Sequence, residues 1–253
     1  MKINMYTSND RFMAGMTMKD KSRLEMNNMA LHVCENLDHV VENRQKLAAF
    51  LNCRLDDFVC AHQTHSANVH QVTADDKGRG ADRPETAIPN TDALYTYEPN
   101  VLLCCFTADC VPVLFYNEAN GLIGVIHSGW RGTTKEITLK MFEHVIHAEG
   151  CHPGDFRVHL GAALSQEKFE VDENVYTKFK DLGYADDFIY FNAETKKYHI
   201  DNQLTVKKQC ELIGIPSEHI TLDRTCTYLN KGGFSYRQDK TSGRHLSFII
   251  RKT

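Results

Sequence analysis

The chain has 253 residues, 25% of them charged, with a formal net charge of −4. That length buries a full core in one large domain or two small ones, and the slightly acidic balance offers no field for nucleic acid. No apolar run is long enough to cross a bilayer and the opening MKINMYTSND lacks a signal-peptide core, so a cytoplasmic protein without membrane contact is expected. The nine cysteines show no CxxC spacing, and in a reducing compartment most read as free buried thiols. Scattered histidines such as His39, His144, His147 and His219 read as surface residues.

In chain order, Arg11–Lys19 reads as a strand, Asp20–Asn28 as a polar loop, and Leu37–Leu51 as an amphipathic helix with apolar Leu37, Val40, Val41, Leu47, Ala48 and Leu51. Short strands are expected at Phe58–His62 and Asn68–Val72, with the polar corner Gln63-Thr64-His65-Ser66 between them. Thr73–Thr91, rich in Gly, Pro and charge, reads as a mobile lid, with a plain surface excursion as the alternative. Ala93–Tyr97, Val101–Phe106, Val111–Tyr116 and Leu122–Ile126 read as strands, the β-branched and aromatic central runs as buried ones. Thr133 or Thr134 is expected to cap a helix over Lys135–Glu149 with one apolar stripe, Ile137, Met141, Val145 and Ile146. Further on, Phe156–Leu160 and Ile220–Leu222 read as strands and Ile189–Phe191 with Tyr198–Ile200 as a strand pair. Asp172–Leu182 and Asn202–Ile213 read as helices, Lys231–Gly243 as a Gly-rich loop, and His245–Lys252 as the last strand. With no internal repeat or linker, one α/β domain over residues 1–253 is expected, built on a mixed sheet or two stacked sheets flanked by helices.

His65, Cys110 and His127 each stand where a strand ends. Should they converge, two imidazoles and one thiolate suit zinc, with the fourth position open as in catalytic sites. Bound water there would be brought near neutral pKa. Copper accepts the same ligands, and two hydrogen-bonded histidines beside a buried cysteine is the structural alternative. Arg131 sits just before the expected helix, where a guanidinium suits phosphate, or it simply stacks on Trp130 at the surface. Asp109 either holds a metal-ligating histidine in its tautomer or caps a turn. Arg237 and Arg244 either add positive charge to a pocket or belong to a solvated loop. Phe169, Phe234 and Tyr236 either stack on a planar substrate or, the better reading for any one of them, pack in the core.

Several of these segments resemble one family, the YfiH-like proteins, long labelled laccase-domain or multicopper polyphenol oxidases and in some cases peptidoglycan editing factor. Gln63-Thr64-His65-Ser66 resembles its Q-x-H-[GS] corner, Thr91-Asp92-Ala93-Leu94 its T-D-A-[LI] entry and Ala108–Val113 its A-D-C-x-P-[VL] segment. His127–Gly132 resembles its H-[AS]-G-W-R-G signature, and Phe234-Ser235-Tyr236-Arg237-Gln238-Asp239 its closing F-S-[YH]-R-R-D. The resemblance implies stacked sheets with flanking helices and a catalytic zinc on His65, Cys110 and His127. It also implies phosphorolysis of adenosine, inosine or S-methyl-5′-thioadenosine to base and sugar 1-phosphate, with adenosine deamination alongside. The chain departs from the family at Leu160-Gly161-Ala162-Ala163-Leu164 and Glu167–Val171, where a pocket wall is expected, at Cys34 in place of a common glycine, and at Gln238.

Three function classes are therefore weighed: a zinc-dependent purine nucleoside phosphorylase, a copper phenol oxidase, and a hydrolase using Cys110 as nucleophile with His127 as base, perhaps on peptidoglycan precursors. A binding partner in cell-wall editing is the non-catalytic alternative. The expected partners are a purine nucleoside and phosphate, in a monomer or homodimer.

Overall fold

The computed structural model describes residues 1–253. In chain order the elements are β1 (Ile3–Ser8), β2 (Phe12–Thr17), α1 (Leu37–Leu51), β3 (Phe58–Cys60), β4 (Val69–Gln71), β5 (Ala93–Thr96), β6 (Leu102–Thr107), β7 (Val111–Asn117), β8 (Ile123–Ser128) and α2 (Trp130–Thr134). There follow α3 (Ile137–His147), β9 (Phe156–Leu160), β10 (Glu170–Val171), α4 (Glu173–Lys180), β11 (Ile189–Asn192), β12 (Lys197–Ile200), α5 (Asn202–Leu212), β13 (Ile220–Leu222) and β14 (His245–Arg251).

The strands form three sheets, ordered β1-β2-β14-β6-β3, β13-β9-β7-β8-β5-β4 and β10-β12-β11. The two large ones stack. Side chains alternate along a strand, so Leu114 and Tyr116 of β7 face the other sheet with Leu103, Cys105 and Ile249. Their neighbours Val113 and Phe115 face α3 and α5, meeting Met141, Val145 and Val206. On the far side α1 lays Leu47, Ala48 and Leu51 against Phe58, Leu102 and Phe248. The layers are thus helix, sheet, sheet, helix. Strands buried on both faces read as continuous apolar runs, and each such Val, Leu or Phe contributes about 1.5–3 kcal/mol. The single α/β domain with stacked mixed sheets and flanking helices agrees with the sequence reading.

Helix α1 has the expected bounds because Asn36 caps its start, accepting from Asp38 N at 2.9 Å, and Asn52 closes it at φ 53. Two expectations are corrected. The helix expected over Lys135–Glu149 is α3, Ile137–His147, but Thr133 and Thr134 do not cap it: they lie inside a separate short helix, α2, that begins directly after Gly129, and left-handed Glu136 (φ 60) divides the two. The segment Thr73–Thr91 is no lid. Gly78 N and Cys60 N bond to Phe58 O and Arg79 O, and Ile88 and His62 continue the pairing beside β3, with Ala81 and Ile88 buried. Fully buried Arg44 clamps this loop, Nη1 donating to Gly80 O and Ala81 O at 2.7 Å while Nε and Nη2 hold Met29 O.

At Thr107, β6 leaves the five-stranded sheet and turns through Ala108-Asp109-Cys110 into β7 of the six-stranded sheet. The turn needs Asp109 at φ 133. Strand β8 and the corner after β3 end beside it.

Candidate metal centre

Strand register brings the three distant side chains together. Pro112 pairs with His127 and Val111 with Ser128, which sets Cys110 against Gly129. His65, at φ 57 in the corner after β3, points Nε2 at Cys110 Sγ, 3.9 Å away. The two imidazole rings lie edge to face, centroids 4.8 Å apart, and the donor atoms of His65, Cys110 and His127 all fall within 4.8 Å of one another. Gly129 keeps the space open: a Cβ there would sit 2.8 Å from Cys110 Sγ and from His65 Cδ2.

One buried carboxylate organises both histidines. Asp92, just before β5, accepts from the backbone N–H groups of Thr64, His65 and Ser66 at 3.1, 3.1 and 2.7 Å and from Ser66 Oγ at 2.7 Å. Its Oδ1 also meets His127 Nδ1 at 2.8 Å, while His127 N donates to Asp92 O. Nδ1 thereby keeps its proton, donated to Asp92, and Nε2 is turned toward Cys110, the orientation a metal-ligating histidine needs. The role anticipated for Asp109 belongs to Asp92. Asp109 instead accepts from Thr227 Oγ1 and Arg237 N, both at 2.7 Å, and so ties the C-terminal loop to the β6–β7 corner.

The charges follow from burial and these partners. Burial raises the Cys110 thiol, but His127 and then His65 outweigh it and bring it down to about 6. Burial opposes the charged form of His127, yet Cys110 and the Asp92 hydrogen bond raise it to about 9. Burial opposes ionisation of Asp92, and the His127 and Ser66 hydrogen bonds hold it well below the usual carboxylate range. Free of metal, the centre is a thiolate–imidazolium pair backed by a carboxylate. A thiolate with two oriented imidazole nitrogens at this spacing fits a borderline-soft divalent cation, three protein ligands leaving one position open.

The cluster lies in a cavity of about 560 Å3. Asp109, Arg131, Tyr236, Arg237 and Arg244, all singled out in the sequence, line it, as does Phe169. Phe234 does not; it is buried against His245, ring centroids 5.1 Å apart. Arg131 is exposed and stacks 4.3 Å over Trp130, Arg237 Nη1 donates to Glu170 O at 2.8 Å, and half-buried Arg244 lies 5.7 Å over Tyr236. These guanidiniums meet rings and carbonyls, which leaves their charge available to an anion.

The family model described as multi-copper polyphenol oxidoreductase laccase matches residues 15–252. The chain belongs to this YfiH-like family. The purine nucleoside phosphorylase YlmD of Bacillus subtilis is 35% identical over 252 residues, 96% of this chain and 89% of that one. Crystal structures of YfiH from Bacillus licheniformis and YlmD from Geobacillus stearothermophilus match with TM-scores of 0.91 and 0.91, at 35% and 34% identity. They cover 95% and 96% of this chain, and 93% and 93% of theirs.

In this YfiH-like chain the T-D-A-[LI] segment supplies Asp92. A carboxylate at the mouth of a strand, beside two histidine-bearing turns, was the available signal for it. The Leu160–Leu164 departure leaves a wall in place, with Leu164 and Phe169 lining the cavity. His32, His62 and Asn202 also line it, and nothing in their sequence surroundings marked them.

Proposed function

We propose that the chain is a zinc-dependent purine nucleoside phosphorylase, taking adenosine, inosine or S-methyl-5′-thioadenosine with phosphate, and deaminating adenosine in the same cavity. The observation that carries this is the union, in one cavity, of a three-ligand thiolate–imidazole cluster with three guanidiniums free of carboxylate partners. The family members named purine nucleoside phosphorylase, among them YlmD, support the same reading.

Phosphate binds to the arginine side, where Arg244 and Arg237 offer forked donors and Arg131 guards the rim. The apolar walls Trp130, Leu164 and Phe169 receive the planar base, with Tyr236 at the mouth. In phosphorolysis a phosphate oxygen forms the new bond to the anomeric carbon as the glycosidic bond breaks. Its electron pair stays on the base nitrogen, which then takes a proton. Here the chain's task is to hold both reactants in line and exclude water. Asp92 keeps His127 Nε2 and His65 aimed at Cys110, and the cation they would hold supplies Lewis acidity when bound.

The test is phosphate-dependent release of adenine or hypoxanthine with sugar 1-phosphate, lost on chelation and in His127→Ala. No phosphate dependence with any purine nucleoside rejects the proposal. Metal analysis of freshly purified protein decides zinc against copper. A single three-ligand cluster is poorly suited to a multicopper oxidase, since four-electron reduction of oxygen draws on several coppers. The Asp92–His127–Cys110 chain favours one second reading, a hydrolase with Cys110 as nucleophile, whose hallmark is a base held by a third group. Alkylation of Cys110 that zinc blocks favours the metal centre; alkylation indifferent to zinc favours the hydrolase.

A further inference from the structure

Buried polar side chains are almost always paired, so an unpaired one facing a cavity points to a partner that arrives with the ligand. Of the buried polar side-chain atoms lacking a partner, Thr107 Oγ1 and Asn202 Oδ1 belong to residues lining the metal-centre cavity. Asn202 is 6% exposed and opens α5. Its orientation is chemically fixed, because Nδ2 donates to Ser128 O at 3.2 Å and a flipped amide would set oxygen against oxygen. The free atom is therefore an acceptor and nothing else. Ser128 follows the metal-ligand candidate His127 directly and Trp130 lies two residues beyond Ser128, so Asn202 is anchored to the segment that carries both. Thr107, 2% exposed at the end of β6, contributes a hydroxyl from the facing sheet.

We propose that Asn202 is a specificity-determining residue whose Oδ1 accepts a hydrogen bond from a donor on the nucleoside, with the Thr107 hydroxyl as a second polar contact. The inference rests on the nucleoside reading of the site. A purine nucleoside offers Asn202 a donor at the 6-amino group or N1–H of its base, or at the 2′-hydroxyl of its ribose. The acceptor is already desolvated, so a ligand bearing a donor satisfies it and one lacking the donor leaves it unpaired.

The experiment is equilibrium binding of adenosine, inosine, purine riboside and 2′-deoxyadenosine to zinc-loaded wild type and Asn202→Leu, with melting temperature and metal content checked for each. Purine riboside lacks the base donors and 2′-deoxyadenosine one ribose donor. Wild type is expected to bind one of these analogues about tenfold more weakly than adenosine, and Asn202→Leu to bring the pair within about twofold. Which analogue is discriminated tells base from sugar. Should Asn202→Leu lose metal or fold poorly, Asn202→Ala and Thr107→Val carry the same comparison. Unchanged wild-type selectivity in folded, loaded variants overturns the inference, as does equal weakening for all ligands or binding of no nucleoside. Selective binding without phosphate-dependent turnover would reject the phosphorylase reaction and leave the contact standing.

Discussion

Replacing Asp92 by asparagine tests whether one carboxylate orients both imidazoles. Oδ1 serves His65 N and His127 Nδ1, and Oδ2 serves Thr64 N, Ser66 N and Ser66 Oγ. Whichever side the new amide nitrogen takes, a donor faces donors, so at least two charge-assisted hydrogen bonds are lost. At about 1.5–3 kcal/mol each, the cost is roughly 3–6 kcal/mol. For a chain of this size that lowers Tm by roughly 6–24 °C. If the nitrogen faces His127, the ring relieves the clash by moving its proton to Nε2, which removes the lone pair aimed at the metal position. Zinc affinity should then fall about 10–100-fold. The assays are thermal melting of metal-free protein and zinc competition against a chromophoric chelator. A variant that melts within about 2 °C of wild type and binds zinc within about threefold refutes the reasoning.

Gly129→Ala places a methyl against Cys110 Sγ and His65, so zinc affinity should fall at least tenfold, measured by the same competition. Arg44→Met strips the donor from three buried carbonyls, Met29, Gly80 and Ala81, for a loss of about 3 kcal/mol or more and a Tm lower by roughly 6–12 °C. In metal-free protein, thiolate absorbance from Cys110 should appear as pH rises through about 6. Its lowered pKa therefore contributes stability that is fully present above the unfolded thiol value of ~8.5 and is lost as pH falls through about 6. That from His127, raised to about 9, is fully present below the unfolded imidazole value near ~6.5 and is lost as pH rises through 9. The ion pair spans that window, and urea midpoints across pH check it. Arg244→Met should raise KM for phosphate about tenfold and exposed Arg131→Met about twofold; equal effects would show that burial does not rank them.

Local signals found the elements whose order is local. Asn36, the apolar spacing and Asn52 together delimit α1, and double-faced burial makes β6 and β7 continuous apolar runs. Strand β1 has no sequence signal, because INMYTS is only half-buried along its length and carries no clean alternation. The break at Glu136 was also hidden. A non-glycine residue enters the left-handed region there because the packing of α2 and α3 holds it, not because of its own preference. Thr73–Thr91 looked mobile for the converse reason: its fixing groups, Arg44 and the free edge of β3, lie elsewhere in the chain.

The same division runs through the site. Histidine and cysteine at strand ends were visible, but their meeting depends on a register between β7 and β8 and on a corner between two sheets, which no window of sequence contains. Asp92 stands in a quoted motif, yet its part is not legible there, because a lone aspartate before an apolar run also reads as a strand entry. Only the fold reveals that five donors converge on it. Asn202 is harder still. At the first position of a helix it is an ordinary residue, and its meaning lies in an amide already committed to Ser128 with the opposite atom left over. Motif residues thus identify the chemistry a cavity can perform, whereas the residues that select its substrate are recognised by the bonds they have not yet made.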